Sequence, residues 1–212
     1  MQPLDPTPNL ALSPTSHSLP SLRRKVADAV RQGNYTTALA LINQILRQQP
    51  SSALDYNNRG FIQFHLGNYT AALQDLNTAL RLDRSLDSAY NNRGNCYAQQ
   101  YRFTHALWNY HQALAYNPHN HRARLNLGIT LRDMGLARLA LENFEYLIVQ
   151  GQISLHAQAE RGRTHHVMGH WNWAMADYHQ VWNQLLEQSD LSFHPLRHSL
   201  ERWMDELVAV VI

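Results

Sequence analysis

Gly60, Gly94, Gly128 and Gly162 stand 34 residues apart. Ala72, Ala106, Ala140 and Ala174 keep the same interval, with Ala38 one step earlier. A third column runs Ile42, Leu76, Tyr110, Phe144, Tyr178. Gly33, Gly67, Gly135 and Gly169 form a fourth, broken by Tyr101, and Tyr35, Tyr69, Phe103 and Trp171 a fifth, broken by Ala137. Columns in common register are the mark of an internal repeat, and that constrains the fold more than composition does. Within each unit, apolar residues recur at three- and four-residue spacing, so the unit is read as helical. The mid-unit glycine cuts it into two helices. Such a hairpin cannot bury its apolar face alone and must stack on a neighbour. The small residues fit where two helices cross closely, and the large ones fill the gap between units. The expected class is all-α, an α-solenoid.

The same residues resemble the tetratricopeptide repeat, a family with a 34-residue unit. The segment ALDYNNRGFIQFHLGNYTAALQDLNTALRLDRSL carries almost the whole pattern. The resemblance implies five helical hairpins at about 19–52, 53–86, 87–120, 121–154 and 155–188. The array is thus placed at 21–188. The first unit is atypical, with Val26 in the glycine column, as expected of an array end. Residues 189–212 read as a C-terminal capping helix, because Leu200, Trp203, Met204, Leu207 and Val208 fall on one helical face. Residues 1–20 hold five of the eight prolines and read as a flexible Pro/Ser/Thr-rich arm.

Composition narrows the function classes. With Lys and Arg together at 18 against 16 Asp and Glu, net charge is only +2, so nucleic acid is not an expected partner. Cys96 is the only cysteine, which excludes an internal disulfide and a cysteine-based zinc site. His166 with His170 and His194 with His198 have a two-ligand spacing but no third ligand, so no metal and no cofactor is expected. No phosphate loop or nucleophile elbow occurs, so the chain is not read as an enzyme. No apolar run approaches the roughly 20 residues of a membrane span. The expected location is cytoplasmic, with a peripheral place at a membrane complex as a variant.

In the family, the first helix of each unit lines a concave groove. The resemblance therefore implies groove positions for Asn58, Asn92 and Asn126, one per unit. An asparagine amide both donates and accepts, so such a row suits the backbone of an extended peptide. Asn57, Asn91, Asn95, Phe61, Phe64, Arg122, Arg132 and Arg163 are the further groove candidates. They run from apolar through amide-rich to cationic, which suits a peptide with an apolar and an acidic segment. The family's carboxylate clamp for chaperone tails does not match. Its first window reads Arg23, Ala27, Asn58, Ser88 and Asn92, where a clamp needs two lysines.

Arg59, Arg93 and Arg161 occupy another column, with Asp75, Asn109 and Asp177 each 16 residues later. The unit with Leu127 in place of the arginine has Asn143 in place of the aspartate. This covariation predicts helix–helix links from Arg59 to Asp75 and from Arg161 to Asp177. The expected function is a non-enzymatic protein–protein interaction module, an adaptor or complex-assembly factor that holds an extended partner segment. The units also resemble, in style, repeat proteins that assist photosystem assembly. The alternative is a self-associating scaffold whose groove takes its own tail or arm.

Overall fold

The computed structural model describes residues 18–151, 153–187 and 195–211. Ten helices pair into five hairpins: α1 (Leu19–Arg31) with α2 (Tyr35–Gln48), α3 (Ala53–His65) with α4 (Tyr69–Leu82), α5 (Asp87–Gln99) with α6 (Phe103–Tyr116), α7 (His121–Asp133) with α8 (Ala137–Val149), and α9 (Ser154–Val167) with α10 (Trp171–Leu186). An eleventh, α11 (Pro195–Val211), follows. No strand occurs among the described residues. The chain is an all-α solenoid. The proline-rich stretch lies outside the described residues up to position 17, while Leu19 and Pro20 form the first turn of α1.

Polar caps and turns set the helix ends. Asn34, Ser52 and Asn120 each accept a hydrogen bond from the backbone N–H three residues on. Within each hairpin the turn is closed by a backbone N–H reaching five residues back, as from Asn34 to Ala29 and from Arg102 to Tyr97. The residue before that donor takes left-handed dihedrals. It is glycine in four hairpins and Tyr101, at φ 57°, in the third.

The glycine column is where hairpin helices touch. A Cβ on Gly60 would lie 2.7 Å from Leu76 Cγ. On Gly94 it would lie 2.5 Å from the Tyr110 ring, on Gly128 2.6 Å from Phe144, and on Gly162 2.8 Å from Tyr178. Each glycine thus receives the large residue 16 positions later, and Ala72, Ala106, Ala140 and Ala174 are fully buried beside them.

The core among the described residues falls into four clusters strung along the array. Leu22, Val26, Ile42 and Ile45 of the first hairpin pack with Ile62 of the second. At the far end, α11 buries Leu196, Leu200, Trp203 and Leu207 against Ala174, Tyr178, Val181 and Leu185. Met204 packs at the margin of that cluster, and the side chain of Val208 falls outside the described ones. No helix among the described residues is long and apolar enough to cross a membrane.

Candidate functional site

The first helices of successive hairpins stand side by side, α3 on α5, α5 on α7 and α7 on α9. Their exposed faces form one wall. A hollow of about 600 Å³ opens there, lined from α1, α3, α5 and α7. Val26, Val30, Phe61 and Ile62 give it an apolar end. Asn57, Asn58, Asn91 and Asn92 fill the middle, and Arg122 stands at the α7 side. Three arginines and no carboxylate line it. Arg23 is held by Asp55 through two bonds of 3.2 and 2.6 Å, and Arg31 pairs with Asp28. Arg122 is exposed and makes no ion pair among the described residues. The hollow is therefore a mixed apolar and amide surface with one uncommitted cation.

The asparagines are joined to each other. Asn126 Nδ2 donates to Asn91 Oδ1 at 2.9 Å, Asn91 Nδ2 to Asn92 Oδ1 at 3.2 Å, and Asn92 Nδ2 to Asn57 Oδ1 at 3.0 Å. The relay crosses three hairpins in one direction. It explains the doubled asparagine: the first of each pair, Asn57 and Asn91, is buried and accepts from the asparagine 35 residues on. A carboxamide has two N–H groups, so Asn92 and Asn126 each keep one beyond the relay. Asn126 also keeps its carbonyl, and Asn58 makes no hydrogen bond among the described residues. The internal bonds lock the rotamers, and a preset donor row costs less entropy to engage than a free one.

Other sequence candidates have different surroundings. Asn95 accepts from the Tyr110 hydroxyl at 2.9 Å, inside its own hairpin. Phe64 packs against the core and lies 5.7 Å from the Tyr69 ring. Arg132 bridges to Glu160 of the next hairpin at 2.5 Å and also meets Asp133. Arg163 pairs with Glu206 of α11 at 2.6 Å and lies over Trp203. None of these four is among the lining residues of the hollow. The structure thus brings together Asn57, Asn58, Asn91, Asn92, Phe61 and Arg122, with Asn126 joined through Asn91, and leaves the rest in links between helices.

The arginine column is not among the residues lining the hollow. Arg59 grips Asp75 with two bonds of 2.8 and 2.6 Å, and Arg161 grips Asp177 at 2.9 and 2.5 Å. Arg93 bonds Asn109 at 2.8 Å. Each of Arg59 and Arg93 also looks backwards: Arg59 donates to Asn43 and Arg93 to Asn77, both 16 residues earlier. Glu145 holds the matching place behind Arg161, and its charge adds to the Asp177 hydrogen bond in raising that guanidinium's pKa against burial. Arg93 has no carboxylate partner among the described residues, and burial lowers its pKa. One arginine therefore ties its own hairpin together and ties it to the previous one. The backward link is readable in the sequence as the 34-residue step from Asn43 to Asn77.

Cys96 is fully buried, and burial pushes its thiol up to about 12, so it is a protonated core group at neutral pH. No cluster of metal-ligating side chains occurs among the described residues.

Residues 27–90 match the family model described as Tetratricopeptide repeat. No curated protein matches the chain in sequence. Among solved structures, the Thermus thermophilus protein TTC0263, a thermophilic TPR protein, superposes with a TM-score of 0.77 at 18% identity over 88% of this chain and 99% of that one. Pseudomonas aeruginosa PilF gives 0.69 at 18% identity, over 91% and 84% of the two chains. The first TPR of Spaghetti (RPAP3), solved with the HSP90 peptide SRMEEVD, gives 0.51 at 25% identity, over 55% of this chain and 93% of that one.

Proposed function

Because the chain is a tetratricopeptide-repeat protein, we propose that its concave hollow holds an extended segment of another protein. The fold is that of protein–protein interaction modules, whose members are generally non-enzymatic scaffolds. The observation that carries the proposal is the asparagine relay across α3, α5 and α7, which presents free amide groups at one step per hairpin. An extended peptide offers N–H and C=O groups along its length, and an amide can meet either. The apolar end around Val26 and Phe61 takes a side chain by burial, and Arg122 takes a carboxylate. A neighbour of this fold was solved with a peptide that contains two glutamates and an aspartate. In this chain the clamp's cation positions at Ser88 and Asn92 carry no charge, so the acidic group is taken at Arg122 instead. The role is that of an adaptor that holds one subunit while a larger complex is assembled.

Selection of short random peptides displayed on phage tests this. The enriched peptides are expected to combine an apolar residue with Asp or Glu. Their affinity is expected to fall about 10- to 100-fold in the Asn92→Ala/Asn126→Ala variant, the loss of two or three hydrogen bonds. Enriched peptides that bind the variant equally well overturn the reading.

A further inference from the structure

All five first helices run in the same direction, so the turns inside the hairpins line one edge of the solenoid. That edge changes character along its length. In the first two hairpins the turns read Gln32-Gly33-Asn34 and Leu66-Gly67-Asn68. In the next three they carry Tyr101, then Met134, Leu136 and Leu139, then Val167, Trp171 and Trp173. These are seven of the fourteen exposed large apolar side chains among the described residues, gathered on three turns. Such a concentration marks a contact surface rather than scattered exposure.

Charge on the same turns is mostly positive. Residues 99–105, 133–139 and 167–173 contain one carboxylate, Asp133, and it is held by Arg132. Arg102 and Arg138 are exposed there, and Arg138 has no ion pair among the described residues. The backbone supplies a separate observation. Tyr101 sits at φ 57°, where four sister hairpins use glycine, yet it is 82% exposed. A left-handed non-glycine residue costs stability, and the packing gives it little in return. Its ring is aimed outward at the tip of the turn.

We propose that this edge, from Tyr101 to Trp173, rests on the surface of an anionic lipid bilayer. Projecting tips that carry Trp, Tyr, Met and Leu beside arginine suit the headgroup boundary, where aromatic rings are half wet and guanidinium groups meet phosphate. The hollow on this edge, about 240 Å³, is confined to the single turn Gly169–Trp173, too short to seat an extended peptide, and the other exposed side chains stand on separate turns. None of them lines the hollow, so contact with a bilayer leaves the hollow open. The proposal does not depend on what the hollow binds.

The test is co-sedimentation of the full chain with vesicles of equal parts phosphatidylcholine and phosphatidylglycerol, and with phosphatidylcholine alone. Binding to the anionic vesicles is expected, weakened by salt. Leu136→Asp/Val167→Asp is expected to lower partitioning more than about tenfold, since two apolar contacts become two repelled charges. Leu82→Asp, which alters an exposed leucine at the opposite end of a hairpin, is expected to leave it unchanged. Tyr101→Gly relieves the left-handed tyrosine, so it is expected to raise Tm while weakening vesicle binding. A fall in binding without a fall in Tm cannot come from unfolding. No binding to either vesicle, or full binding by Leu136→Asp/Val167→Asp, overturns the proposal. So does an edge variant that loses self-association in solution while wild type ignores vesicles, for the edge is then a protein contact.

Discussion

Replacing Phe144 by alanine is expected to destabilise the array by about 3–5 kcal/mol, the cost of emptying a fully buried aromatic site. The site is the contact with Gly128, whose position leaves no room for a methyl beside the Phe144 ring. In a solenoid each hairpin leans only on its neighbours, so damage to the fourth unit weakens its coupling to both sides. The loss is expected to split one unfolding transition into two. Four of the five tryptophans, Trp171, Trp173, Trp182 and Trp203, lie beyond the fourth hairpin. Tryptophan fluorescence therefore follows the C-terminal units, while far-UV circular dichroism follows the whole chain. Urea curves from the two probes are expected to separate in Phe144→Ala. The partner residue supplies the check. Gly128→Ala alone is expected to cost about 1–3 kcal/mol by overpacking. In a Phe144→Leu background it is expected to cost clearly less, because the ring it would strike is gone. Additive losses in that cycle would mean the two residues do not act through this contact.

Asp75→Ala is expected to cost about 2–3 kcal/mol. It strips the carboxylate from a guanidinium that keeps the Asn43 hydrogen bond and the Tyr56 ring, and breaking a largely buried pair costs more than the pair contributes. The Arg59 side chain is 25% exposed, so solvent reduces the figure below that of a fully enclosed pair. Asp75→Asn is expected to cost less than half as much. The third hairpin already uses that chemistry, with Arg93 bonded to Asn109. Thermal melts of the two variants check this. Equal losses would mean the carboxylate charge, and not the hydrogen bond, holds the hairpin.

The fold is legible in the sequence because a repeat shows its contacts as intervals. Gly128 meeting Phe144 and Arg59 meeting Asp75 are both 16-residue steps, repeated every 34. The site is only partly legible. The doubled asparagines are visible, but the relay runs at a 35-residue offset, from Asn57 to Asn92 and from Asn91 to Asn126, across columns rather than along one. Arg132 and Arg163 read as groove cations because their carboxylate partners, Glu160 and Glu206, lie 28 and 43 residues on, outside any repeat interval. Glu206 belongs to α11, whose docking no periodicity fixes. The apolar edge is hidden for a related reason. Its residues occupy several columns and gather only when the turns are stacked.

The most direct measurement of the groove reading is photocrosslinking in the source cell, with a benzophenone amino acid replacing Ser88 in the hollow and, separately, Gln74 on the exposed surface of α4. Crosslinks from position 88 are expected to map to one extended stretch of another protein, to be absent from position 74, and to disappear when Asn92→Ala/Asn126→Ala is added. Crosslinks of equal yield from both positions, or crosslinks from position 88 that map only to this chain itself, would contradict the account.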